Sequence, residues 1–132
     1  TLLKVTGVEG NPHHSKDMDG ADITPLLQDV QASLDRDLFW HFPHYHAGGD
    51  SPYSAIRSGD WRLIEFHETG ELELYNLAED LGESRNLAAT KRQLASQLHE
   101  KLRSWRESVG AQMPTLNPDF DPARATEVAR NR

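Results

Sequence analysis

The chain has 132 residues, 36% of them hydrophobic and 27% charged, with a formal net charge of -7 and no cysteine. This is the length of one domain with one core, and no run approaches the roughly 18 apolar residues that span a bilayer. Acidic balance without clustered Lys and Arg argues against a nucleic-acid surface, and the lack of thiols removes disulfides, thiolate metal sites and a cysteine nucleophile.

Thr1-Leu2-Leu3-Lys4-Val5 reads as the end of a helix entered midway, with neither an initiator Met nor the order of a signal peptide, so the chain is expected to be part of a longer protein. From Gly7 to Gly20 the composition is that of a loop, with His13 and His14 read as surface residues. A single helical turn follows at Ile23-Thr24-Pro25-Leu26-Leu27, capped by Asp22 or Thr24. Arg36 to Pro43 is aromatic and reads as a strand ended by Pro43, then a polar loop runs from His44 to Ser51 with Gly48-Gly49 inside it.

Three more strand-like runs, Tyr53 to Ser58, Trp61 to Glu68 and Glu71 to Leu77, are separated by the short turns Ser58-Gly59-Asp60 and Glu68-Thr69-Gly70. This predicts an antiparallel meander. Alternation sets Leu72 and Leu74 on one face with Glu71 and Glu73 opposite, whereas Trp61-Arg62-Leu63-Ile64 is apolar on both sides and suits an inner strand. Leu94, Leu98, Leu102, Trp105 and Val109 recur at helical spacing; Thr90 and Gln93 have the spacing of a capping box, and Gly110 supplies the stop. The helix should cross the meander, and the Pro-, Asn- and Asp-rich stretch after Met113 should be extended or disordered.

The densest reactive cluster is His41-Phe42-Pro43-His44-Tyr45-His46, with Asp50 beyond it. Three imidazoles and a carboxylate can hold zinc, but a strand turns His41 away from Phe42 and Pro43 breaks the geometry, so convergence on one metal is not implied. The stronger reading is a polar groove, since imidazolium donates two hydrogen bonds to an anionic substrate. Arg57 is a weaker anion contact, with a cross-strand ion pair as the plainer alternative. His67 and His99 read as exposed polar positions, and Trp40, Trp61 and Trp105 as core or interface packing. No nucleophile elbow, phosphate-cradling loop or zinc helix occurs.

Three segments carry a resemblance: Leu38-Phe39-Trp40-His41-Phe42-Pro43-His44-Tyr45; Ser54-Ala55-Ile56-Arg57-Ser58-Gly59-Asp60-Trp61-Arg62-Leu63-Ile64; and Glu73-Leu74-Tyr75-Asn76-Leu77-Ala78-Glu79-Asp80, with Glu83 and Asn86-Leu87-Ala88. In this order, together with Asp19-Gly20 and Thr24-Pro25-Leu26-Leu27, they resemble the C-terminal region of formylglycine-dependent sulfatases. Among these, the chain looks most like the bacterial arylsulfatase A and N-acetylgalactosamine-6-sulfatase-like group. The resemblance implies an α+β fold, a four-stranded antiparallel sheet packed against one long C-terminal helix, as in the C-terminal subdomain of alkaline-phosphatase-like sulfatases. It implies residues 1–35 as a linker with short helical turns, 36–113 as the subdomain and 114–132 as an extended or disordered tail.

That family hydrolyses sulfate esters, commonly of sulfated sugars, and its members are usually periplasmic or secreted. Its formylglycine and its calcium ion are expected in a catalytic domain outside this chain. Here no Cys/Ser-x-Pro-x-Arg segment occurs, so no catalytic residue and no cofactor is assigned, and the chain alone is expected to be inactive. His44, Tyr45, His46 and Arg57 are the candidate substrate-binding residues. The expected partners are the catalytic domain and a sulfated carbohydrate, with self-association of the isolated chain through its uncovered docking face. The alternative is a non-catalytic ligand- or partner-binding module built on the His-rich loop.

Overall fold

A computed structural model describes residues 1–120 apart from Asp17, Asp19, Val30 and residues 46–50. The chain divides into two compact units, Thr1–Arg36 and Asp37–Arg132. The first holds three short helices, α1 (Leu2–Thr6), α2 (Pro12–Ser15) and α3 (Thr24–Gln28). Neither α1 nor α3 buries a residue, and polar contacts tie them instead. Asp22 accepts the backbone N–H of Thr24 at 2.9 Å and pairs with Lys4 at 2.8 Å, while Ile23 donates its N–H to the Thr1 hydroxyl at 2.8 Å. Asp22 therefore anchors the predicted turn, although Ile23 occupies the N-cap position itself.

The second unit is a meander, β1 (Leu38–Phe42), β2 (Tyr53–Ser58), β3 (Trp61–Phe66) and β4 (Leu72–Asn76), followed by α4 (Arg92–Ser108). The strands pair in the order β1-β2-β3-β4, all antiparallel, which places β3 inside as its two-sided apolar sequence requires. The strands at Arg36–Pro43 and Trp61–Glu68 are shorter than their patterns. His67 and Glu68 belong to the turn instead, because His67 donates its N–H to the Pro52 carbonyl at 2.9 Å and Gly70, at φ 70°, closes the turn onto the Phe66 carbonyl at 2.8 Å.

Register fixes the two faces. Directly paired residues share a face, so Phe39 and Ile56, His41 and Ser54, Ser54 and Glu65, and Leu63 and Leu74 point the same way. On that face Ile56, Leu63 and Leu74 meet Ala95, Leu98 and Leu102 of α4 in one buried cluster, and Phe39 stacks on Trp105 with ring centres 4.8 Å apart. Each such leucine contributes about 1.5–3 kcal/mol by leaving water. The opposite face gathers Ala55, Ile64 and Tyr75 with Tyr53, Phe66 and Leu77. Burial and the Glu73 carboxylate push the Tyr75 hydroxyl up to about 12, so it stays neutral. Trp40 lies on this second face and is 45% exposed, which removes it from the core.

Two details of α4 differ from the pattern. Thr90 does not cap the helix: its hydroxyl donates to the Leu87 carbonyl at 3.0 Å, and Lys91 occupies the N-cap without a side-chain bond. The Leu87 carbonyl also closes a turn with the Lys91 N–H at 2.8 Å, which starts the helix one residue later than a Thr90 cap would. Val109 leaves the apolar stripe, at 56% exposure, and Arg106 takes the next inward place at 8%. The stop at Gly110 is as the sequence predicts. Gly110, at φ 61°, donates to Glu107 and Ala111 donates to Arg106, the paired bonds that satisfy the last carbonyls of a helix.

The link from β4 to α4 is held by polar residues. Asn86 accepts the Leu74 N–H at 3.1 Å, Leu87 donates to the Leu74 carbonyl at 2.8 Å, and Glu83 pairs with Arg62. Among the described residues no helix is long and apolar enough to cross a membrane.

Candidate functional site

The end of the sheet where β1 leaves, β2 enters and β3 turns collects most of the polar chemistry of the second unit. Its centre is Ser54, which is fully buried. The Ser54 hydroxyl lies 2.8 Å from His41 Nδ1, 3.0 Å from His67 Nε2 and 3.3 Å from an Arg106 Nη1 that donates to it. His41 Nε2 lies 2.8 Å from the Gln112 carbonyl, which can only accept, so this nitrogen carries a proton. With one proton of its own, Ser54 donates to one imidazole and accepts from the other. The two rings meet edge to face, 5.6 Å apart.

Beneath Ser54, Arg106 lies 2.7 Å from Glu65 Oε2, and His99 Nε2 lies 3.1 Å from Glu65 Oε1. Neither Glu65 Oε2 nor His99 Nε2 completes a well-aimed hydrogen bond, so the Arg106–Glu65 pair holds by charge at close range rather than by direction. Burial alone pushes the Glu65 carboxyl up, but Arg106 and His99 beside it outweigh that and hold it below the usual range. Burial, then the Arg106 guanidinium, pushes the His67 imidazole down and keeps it neutral. His67 and His99 are thus not the exposed polar positions their sequence context implied. Ser54 beside imidazoles has the make-up of a nucleophile and base, but a buried hydroxyl held by a guanidinium is closed to substrate, and the network supports the sheet end.

Above it the surface is open. Tyr45 is 63% exposed and its hydroxyl donates to Glu68 in the β3–β4 turn. The ring of the exposed His44 stands nearly perpendicular to that of Phe42, 5.7 Å between centres. Of the four predicted contacts, His44 and Tyr45 share this end, and His46 lies outside the described residues. Arg57 is not brought to them. It pairs in register with Leu38, at the far end of the strands some 13 Å along β2 from Tyr53, and is exposed with its Nε donating to the Gly59 carbonyl at 3.2 Å rather than to a carboxylate. No group of three or more metal-ligating side chains converges among the described residues.

Ser54, Glu65 and Arg106 were missed by motif reading. One signal was available: Arg106 follows Leu98 and Leu102 at four-residue steps, so a guanidinium falls on an apolar stripe and demands a buried partner. Alternation along β2 and β3 puts Ser54 and Glu65 on the face that receives it.

A small antiparallel meander crossed by one helix aligns with parts of solved structures that include sulfatases. A protein solved in complex with its substrate D-glucosamine-2-N,6-O-disulfate aligns at TM-score 0.64 and 25% identity over 86% of this chain and 24% of that one. A 2-O GAG sulfatase aligns at TM-score 0.68 and 19% identity over 93% of this chain and 26% of that one, which supports the fold alone. A curated relative described as a sulfatase, from Formosa agariphila, is 35% identical over 117 aligned residues, covering 80% of this chain and 21% of the relative. The family model described as "N-sulphoglucosamine sulphohydrolase, C-terminal" matches residues 1–108, and the chain belongs to that family. It spans about a fifth to a quarter of the length of these relatives, at 21%, 24% and 26%.

Proposed function

We propose that this chain is the C-terminal subdomain of a sulfatase that hydrolyses sulfate esters of sulfated sugars outside the cytoplasm. The sheet end bearing His44 and Tyr45 faces the substrate cleft in this reading, and His46 is proposed as a further substrate contact. The observation that carries it is the family match over residues 1–108, which includes that sheet end and the network under it. One relative of similar fold was solved with a sulfated glucosamine as its substrate, which supports the same substrate class here.

The division of labour follows from chemistry. Sulfate-ester cleavage needs an activated nucleophile and a cation against developing charge, supplied in this reading by formylglycine and calcium in a catalytic domain. This chain's residues bind and orient. Exposed His44 offers a ring N–H donor to an anionic or hydroxyl group, and Ser54, His41, His67 and Arg106 fix the strands from which the contacts rise. Arg57, at the other end of the strands, belongs to a separate contact if it meets an anionic group.

The test compares sulfatase activity of this chain alone with that of the same chain joined to its upstream sequence. Activity only in the longer protein supports the reading. Activity in the isolated chain overturns it, and inactivity of both turns the assignment toward a non-catalytic binding module.

A further inference from the structure

Tyr45 presents an exposed ring whose one hydroxyl proton is already given to Glu68. The phenol has no second proton, and a carboxylate has none, so this patch offers an aromatic face and acceptor oxygens only. Glu71, exposed in the same turn, adds a second carboxylate. The bond to Glu68, with some burial, raises the Tyr45 hydroxyl above its ordinary value and keeps it neutral.

A sulfate ester is a poor match for such a patch. It is an anion whose oxygens only accept, and at about 4 Å from a carboxylate the repulsion in water is about a fivefold penalty. An unsulfated sugar hydroxyl is a good match, because it donates to Glu68 while the C–H face of the ring lies on the negative face of Tyr45. Resting on the sulfatase reading, we propose that Tyr45 and Glu68 form a subsite for an unsulfated pyranose unit, with Glu68 rejecting substrates that carry sulfate at the hydroxyl it meets. Tyr45 is the platform of this subsite. Glu68 both fixes the ring and discriminates, an arrangement in which the repulsive contact carries the specificity.

The experiment is an NMR titration of this chain with chitobiose and with fully O-sulfated chitobiose, following the Tyr45 ring and Glu68 signals. Chitobiose is expected to shift both saturably, and the sulfated sugar to bind about fivefold or more weakly. Glu68→Gln should bring the two affinities together. Tyr45→Phe should keep chitobiose binding and Tyr45→Ala should lose it, with the amide signals of Ile56 and Leu63 reporting that each variant is folded. Tighter binding of the sulfated sugar, no response at Tyr45, or a preference unchanged by Glu68→Gln overturns the subsite. The sulfatase reading stands or falls separately, on activity of the longer protein.

Discussion

Arg106 of α4 and Ser54 of β2 meet at 3.3 Å in the interior, the arginine 8% exposed and the serine not at all. The helix thus delivers a permanent charge to the sheet end that carries the candidate site. The Glu65 carboxylate, 2.7 Å away, offsets that charge, and Ser54 passes the constraint to His41 and His67.

Breaking this pair from one side leaves a buried charge without compensation. Arg106→Met should cost about 3–5 kcal/mol, whereas Arg106→Met with Glu65→Met should recover most of it. Urea unfolding of the two variants measures this. A double variant no more stable than the single one would contradict the pairing.

Acid should weaken the unit in two steps. The His67 imidazole is depressed below 6.5 and the Glu65 carboxyl below 4.5, so in each case the unfolded chain binds the proton more readily. Stability from His67 is complete above about 6.5 and is lost as pH falls through its lower folded value; that from Glu65 is complete above about 4.5 and is lost further down. Thermal unfolding across this range should show the first loss vanish in His67→Gln and the second persist.

Leu102, fully buried between helix and sheet, is expected to cost about 2–5 kcal/mol as Leu102→Ala. Leu81, 83% exposed, should cost within about 0.5 kcal/mol as Leu81→Ala. Equal effects in chemical denaturation would contradict the placement of the core.

The isolated chain is expected to form dimers or larger species, because Trp40 stands 45% exposed on the sheet face that α4 does not cover. Sedimentation should show the association and its reduction in Trp40→Ser. A clean monomer at high concentration would contradict it.

Much of the fold could be read from the residues, for reasons visible in each element. Tyr53–Ser58 is bounded by Pro52 and Gly59, so both its ends were marked. The end of β3 was not, because Phe66-His67-Glu68 continues a strand pattern and only the His67 bond to Pro52 turns it. Thr90 failed as a cap because a local bond to Leu87 competes for its hydroxyl. The open part of the site was legible as a histidine- and tyrosine-rich loop. Its support was not, since Ser54, Glu65 and Arg106 are 11 and 41 positions apart in succession and meet only through register and helix packing. Sequence also named Arg57 as a weaker contact without fixing its position, and only the register, which pairs it with Leu38, sets it at the other end of the strands from His44 and Tyr45.

The most direct measurement is the kcat/KM of the longer protein and of its Tyr45→Ala and His44→Ala variants on a sulfated oligosaccharide and on a small chromogenic aryl sulfate. If this sheet end lines the cleft, the variants lose about tenfold or more on the oligosaccharide, or about 1.4 kcal/mol, and keep the aryl sulfate rate. Unchanged rates on both substrates would contradict that placement.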